Sequence, residues 1–264
     1  MADIQQLIEA DKALLLSLNG SASLFWDGFM WTVTDTKTWI PAVLVLLYVV
    51  FKNNRVPQGI VITLMFALCV TLADQFASGL CKPYFARFRP TQDPELMYLV
   101  QTVNDYRGGL YGFISSHAAN TFAVAMFASL LVRYLPFTCM MFLWAMIPSY
   151  SRMYLGVHYP GDILCGAVAG SVVGVLVYLL YARLRKKFFD CPQYISTQYT
   201  KGGYTKDDIS ILHATLLLTY LYSIIGGMIV AKRVCISDQK VRYFRKKQLE
   251  SLCCHNLLLY LNRY

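Results

Sequence analysis

The sequence predicts an all-α fold, a polytopic membrane bundle of about six transmembrane helices preceded by interfacial helices, and three observations carry that expectation. At 264 residues, 56% hydrophobic and a mean hydropathy of +0.44, the chain is too apolar for an ordinary soluble domain. Apolar runs recur at about the 20 residues that a helix needs to cross the hydrocarbon core. Long strands of alternating hydrophobicity are missing, and backbone groups in lipid must be satisfied internally, so the spans are expected as helices and not as a barrel.

Taken in order, Ile4 to Leu18 places apolar residues at helical spacing with acids between them, and Leu24 to Trp31 is rich in aromatics. Both read as interfacial helices. Met1 to Lys12 carries acids and no basic n-region, so it reads as mature protein and not as a cleaved signal. A short apolar run follows from Trp39 to Phe51, and span-length candidates lie near 57–79, 117–134, 137–154, 161–182 and 208–231. These divide the chain into N-terminal interfacial helices (1–35), a membrane domain (36–231) and a basic tail (232–264).

Charge and cysteine usage exclude several classes. The net charge of +9 is concentrated in Lys232 to Tyr264, which holds eight Lys or Arg against two acids. A basic tail beside a membrane suits anionic headgroups, and no nucleic-acid motif accompanies it. Cys69, Cys139 and Cys165 sit in apolar runs, where small buried hydrophobes are expected. No CxxC pair exists, and Cys253, Cys254 and His255 lack a fourth ligand for zinc. Neither a metal nor another cofactor is expected.

Basic residues in short connections argue for orientation. Lys52, Arg55, Arg133, Arg183, Arg185, Lys186 and Lys187 gather on one side, expected to be cytoplasmic. The long polar connection from Lys82 to Ser116 lies on the other side, and loops of that length are usually functional. A bacterial inner membrane, with the polar loop facing the periplasm or exterior, is the expected setting. The tail opposes this scheme if 208–231 crosses the bilayer, and a re-entrant segment would remove the conflict.

Three stretches on the loop side carry chemistry. Lys82-Pro83-Tyr84-Phe85-Ala86-Arg87-Phe88-Arg89-Pro90 ends a span. Lys82 and Arg89 supply a point charge and a planar fork that suit phosphate, although the same residues read as a basic membrane flank. Ile114-Ser115-Ser116-His117 precedes an apolar helix, where unpaired amides favour an anion, though the serines also make ordinary caps. Ser151-Arg152 and His158-Tyr159-Pro160-Gly161-Asp162 straddle two spans. There a carboxylate can fix the imidazole tautomer and free the other nitrogen for attack; the bland alternative is an ion-paired helix end. His213 and His255 have no such company and read as structural. Charges within the membrane cost roughly 2.5–3.5 kcal/mol each on insertion scales, so three cations converging at one depth need a reason. A bound phosphate is the simplest.

Lysine, six residues, Arg-Pro; then Ser-x-His; then Ser-Arg, five residues, His, three residues, Asp resembles the three-part signature of the type 2 phosphatidic acid phosphatase family, relatives of the vanadium haloperoxidases. The resemblance organises about Pro57 to Lys187 and implies a metal-independent membrane phosphatase acting on a lipid phosphate. It implies that Lys82, Arg89 and Arg152 hold phosphate with help from Ser115 and the Ser116 amide. It also implies that His158 attacks phosphorus, Asp162 orients it and His117 protonates the leaving oxygen. The family's second motif usually reads Pro-Ser-Gly-His, whereas Ile114 and Ser116 stand here for the proline and glycine. Losing that glycine restricts backbone approach to phosphate, and the Ser116 hydroxyl is the available compensation.

Beyond the motifs, Asp74 lies two turns before Lys82 in an apolar span, a functional candidate or a helix-contact residue. Arg107 is a second-phosphate candidate or a solvated loop charge. Undecaprenyl diphosphate and lipid A phosphate are the favoured substrates, with phosphatidylglycerol phosphate and phosphatidic acid as alternatives. A vanadate-dependent peroxidase would show halide oxidation, and a transporter or structural protein would spread its charges through the midplane.

Overall fold

The computed structural model describes residues 2–189 and 197–229; the basic tail from Lys232, with Cys253, Cys254 and His255, lies outside them. Among the described residues the fold is helical and no strand forms beyond isolated bridges. The helices are α1 (Ala2–Leu18), α2 (Leu24–Thr34), α3 (Ile40–Asn53), α4 (Val56–Phe85), α5 (Ser116–Val132), α6 (Leu135–Tyr154), α7 (Pro160–Phe188) and α8 (Lys206–Ile229).

Among the described residues only α4, α7 and α8 are individually long and apolar enough to cross a membrane, and α2 with Thr36–Asn53, bent by 68°, makes a fourth candidate. The expected count of about six would add α6, with 20 residues, and α5, with 17, or about 25 Å at 1.5 Å per residue. It lies in the middle of the bundle, where Ala118, Ala119, Ala123, Ala125 and Phe127 are all buried. Its sides face protein more than lipid. The span expected near 208–231 is a continuous helix of 24 residues, Lys206–Ile229.

α5 and α7 approach at backbone contact. Gly166, Gly170 and Gly174 recur every four residues along α7, and a Cβ on Gly170 would stand 2.1 Å from the Ala119 carbonyl oxygen. Small residues let membrane helices close to this range and gain dispersion contact along their whole length. The seam matters for the site because it presses the start of α7 against the start of α5, where the Ser115 amide donates to the Asp162 carbonyl at 3.1 Å. Alanine raises intrinsic helix propensity, yet at position 170 the steric cost of about 1–3 kcal/mol outweighs the gain of 0.5–1 kcal/mol. Gly170→Ala is therefore expected to lower the melting temperature in detergent, while Gly109→Ala, where a Cβ meets nothing within 4 Å, leaves it unchanged.

The far end of the bundle is basic: Arg55, Arg185, Lys186 and Lys187 border one cavity of about 530 Å³. Beside it, Asp208 on α8 accepts from Lys52 at 2.6 Å and Asn53 at 2.8 Å, tying α8 to the end of α3. His213 stacks on Phe137 with centroids 6.0 Å apart, a packing role.

Candidate active site

The first motif is shaped by two local breaks. Gln75–Cys81 winds as a π-helix, a widened turn that often marks functional positions. It leaves Ser78 and Lys82 on the face turned toward α5: the Lys82 ammonium bonds the Ser78 hydroxyl at 3.0 Å and, closely, the Ser116 hydroxyl. Ser78 in turn approaches Asp74 Oδ1 at 3.3 Å. Asp74 thus meets the lysine through an intermediary. Ser116, where the resembling family has glycine, spends its hydroxyl on Lys82 and on Ser78 at 2.9 Å.

The second break is Ala86, whose φ of +46° stops the helix. The chain then extends, and Phe88 bridges Tyr111, with the Arg89 amide donating to Leu110 at 3.0 Å and the Gly112 amide to Arg87 at 2.9 Å. Side chains two residues apart in an extended segment share a face, so Arg87 and Arg89 both point inward. Arg89, 8% exposed, donates to the carbonyls of Tyr111 and Val157 and stands 3.2 Å from His158 Nε2.

That last contact fixes the imidazole. A guanidinium has donors only, so Nε2 must offer its lone pair and the ring proton sits on Nδ1. Nδ1 faces Asp162 Oδ2 at 3.4 Å, a long bond. His158 is 2% exposed. Burial, then the charges of Arg89, Arg152 and Lys82, hold its pKa well below the ordinary 6.5. It is a neutral base with its lone pair aimed at the cation cluster.

Asp162 is fully buried and its two oxygens are divided. Oδ2 also accepts from the Tyr159 amide at 3.0 Å, and Oδ1 accepts from Arg87 at 3.0 Å. Pro160 at the start of α7 suits its first turn, where no amide donor is required. It sets Asp162 one turn beyond His158.

Arg152 closes the cluster from α6. It is 4% exposed, and its terminal nitrogens donate to Thr34 Oγ1 at 2.8 Å and Tyr106 Oη at 3.0 Å. Its buried Nε has no hydrogen-bond partner among the described residues. His117, in the first turn of α5, lies within electrostatic reach of Arg152, His158, Lys82 and Arg89. On its other side it borders an apolar cavity of about 360 Å³ whose lining includes Thr34, Trp39, Val43 and Val70. The rim residues Ile40, Val43 and Leu44 are exposed on the outside of the bundle, so this cavity opens sideways.

Ser115 is buried and its hydroxyl accepts from the Ala118 amide at 3.4 Å, capping α5. Arg107 is exposed and engages through its carbonyl, which accepts from Thr91 at 2.6 Å; its neighbour Tyr106 is the one that meets Arg152. Sequence reasoning passed over Tyr106, Thr34, Arg87 and Asp11. Arg87 alone had a legible signal, the Arg-Phe-Arg alternation. No group of three or more His, Cys, Asp or Glu that could hold a metal gathers among the described residues.

The arrangement brings a buried imidazole together with Arg89, Arg152 and Lys82, with His117 beside them on the border of an apolar cavity. Comparison with known proteins agrees in kind. A family model described as the PAP2 superfamily matches residues 60–186. A protein named lipid A 4'-phosphatase from Porphyromonas gingivalis is 36% identical over 198 residues, 74% of this chain and 84% of that protein. Another of the same name from Bacteroides thetaiotaomicron is 40% identical over 69% of this chain and 81% of its own length. An undecaprenyl-diphosphatase from Sulfolobus acidocaldarius is 30% identical over 52% of this chain and 61% of its own.

Proposed function

This chain belongs to the PAP2 superfamily, and on that premise we propose that it removes a phosphate from a lipid A-type glycolipid through a phosphohistidine at His158. It is an integral membrane lipid phosphatase. The finer reading is supported by one observation: His117, within electrostatic reach of His158 and the three cations, also lines the apolar cavity.

The roles follow from charge and position. Phosphate enters between Arg89 and His158 Nε2, replacing their mutual contact, and its oxygens take donors from Lys82, Arg89 and Arg152. Negative charge spreads over three equatorial oxygens as the phosphoryl group transfers, and prepositioned donors stabilise that state without reorganising. Nε2 attacks, the P–N bond forms and the P–O bond to the lipid breaks. A proton carried in by the phosphate monoester passes to His117, which gives it to the departing oxygen on the side where the apolar cavity can hold the lipid. Water then attacks phosphorus, returns a proton to His117 and releases phosphate as the P–N bond breaks. Ser115 and the Ser116 amide assist at the start of α5, while the Ser116 hydroxyl and Asp74 hold Lys82 in place.

The basic end formed around Arg55 and Arg185 suits the cytoplasm, which directs the site to the periplasm or exterior. The two lipid A 4'-phosphatase relatives favour a phosphorylated glycolipid; the third relative favours undecaprenyl diphosphate. Purified protein in detergent, given each of these lipids and phosphatidylglycerol phosphate in turn, tests the choice by phosphate release and product mass. The expected result is the highest kcat/KM on the lipid A phosphate, unchanged by EDTA. Preference for another lipid overturns the substrate assignment, and loss of turnover with EDTA overturns the metal-free scheme.

A further inference from the structure

We infer that Asp11, on the N-terminal helix α1, is a positioning residue for the reaction, acting through Arg87 on the Asp162–His158 pair; this rests on the phosphohistidine reading above. Residue 11 lies outside the segment 60–186 that the family model matches, so that match carries no role for it.

The geometry is a bridge of two carboxylates on one guanidinium. Arg87 donates to Asp162 Oδ1 at 3.0 Å and to Asp11 Oδ2 at 2.7 Å, and its Cζ lies over the Tyr159 ring, 3.9 Å from the centroid. Asp11 Oδ1 also accepts from the Gly161 amide at 2.8 Å, in the first turn of α7. A Cβ at Gly161 would come within 2.9 Å of the Asp11 carboxylate, so the residue type there permits this approach. The Asp11 side chain is 16% exposed, which separates it from a solvated surface acid.

α1 is fastened so that Asp11 cannot drift. Lys12 pairs with Glu95 at 2.5 Å. Leu15 is fully buried beside Leu96, Val100 and Tyr159. At the helix end, the Asn19 side chain donates to Gln101 and Tyr154 carbonyls and accepts from the Gln101 amide at 2.7 Å. The helix therefore presents one carboxylate at a set place behind the active site.

The consequence is electrostatic. Asp162 paired with Arg87 alone would be a neutral unit, with little left to stabilise the imidazolium that grows as His158 attacks. Two carboxylates sharing one arginine carry a net charge of −1 behind the ring. Outer-shell partners of this kind tune a reacting group without touching substrate. The opposing groups around His158 are Arg89, Arg152, Lys82 and His117, all cationic or neutral, which raises the value of a negative charge on the Asp162 side.

The test is steady-state kinetics of the full-length protein on its best lipid phosphate across pH. Asp11→Asn is expected to lower kcat about tenfold, leave KM within about twofold, and shift the acid limb of kcat/KM to lower pH, because the free imidazole loses a negative neighbour. Asp11→Glu, which keeps the charge, recovers most of kcat. Ser17→Ala, which removes an exposed hydroxyl bonded only to the Leu14 carbonyl of the same helix, keeps kcat within about twofold. Arg87→Lys, unable to fork between both carboxylates, covers the case in which Asp11→Asn is not recovered folded, and it too lowers kcat more than KM. Wild-type kcat in Asp11→Asn, or in Arg87→Lys where only that variant folds, overturns the inference while wild type is active and His158→Ala is inert. An active His158→Ala enzyme, or an inactive wild type on every lipid phosphate, overturns the underlying reading instead.

Discussion

His158→Ala is expected to reduce phosphate release by about 10⁴-fold or more, the largest effect of any single substitution. The ring is the nucleophile, and the cations alone leave only the residual rate that binding and charge stabilisation supply. The structure makes the loss specific. Nε2 is the one ring nitrogen whose lone pair faces Arg89, while Nδ1 is committed to Asp162. Removal of the imidazole leaves Arg89 its carbonyl partners at Tyr111 and Val157, so the cation cluster keeps its place. The expected signature is a collapsed kcat with lipid binding intact, measured by phosphate release and by retention of the lipid on the inactive protein. A residual rate above one-hundredth of wild type would remove His158 from the chemistry.

Arg152→Ala is expected to lower kcat/KM by about 10³-fold, close to 4 kcal/mol at 1.36 kcal/mol per decade. Two of its nitrogens are held by Thr34 and Tyr106, and Nε remains as a buried donor. A donor fixed in advance stabilises the equatorial oxygens of the transferring phosphoryl group at no reorganisation cost. Lysine carries its three N–H groups on a single nitrogen and cannot spread them over Thr34, Tyr106 and a phosphate as the planar fork does, so Arg152→Lys should recover less than about tenfold of the loss. If Arg152→Ala loses only KM, the residue binds ground state and transition state alike, and its assigned part in catalysis is wrong.

The bundle and the outline of the site were legible because membrane helices announce themselves by length and hydropathy, and because the three motifs carry rare residue types at fixed spacing. The helix ends near Lys82, His117, Arg152 and Asp162 follow from prolines and serines that stop or start a span. The rest was hidden for identifiable reasons. Asp11 is one of the acids between apolar residues at helical spacing and looks like part of a solvated face; only the fold sets it against Gly161. Tyr106 is one of 19 tyrosines, and the charged neighbour Arg107 drew attention away from it. Thr34 carries no charge at all. The α5–α7 seam is written as glycine every fourth residue, yet its effect depends on which helix it meets. Length and hydropathy do not by themselves count α5 as a span, because an enclosed helix need not match the thickness of lipid. Ser116 required side-chain positions: its departure from the usual glycine makes sense once its hydroxyl is seen on Lys82.

The most direct measurement is the site of covalent phosphorylation. Wild-type protein turning over its best lipid phosphate is quenched in alkali, where phosphohistidine survives, and the peptides spanning residue 158 are sequenced by mass spectrometry. The account predicts a phosphoryl group on His158, attached at Nε2. Phosphate on Nδ1, on another residue, or on no residue of an enzyme caught in rapid turnover would contradict it.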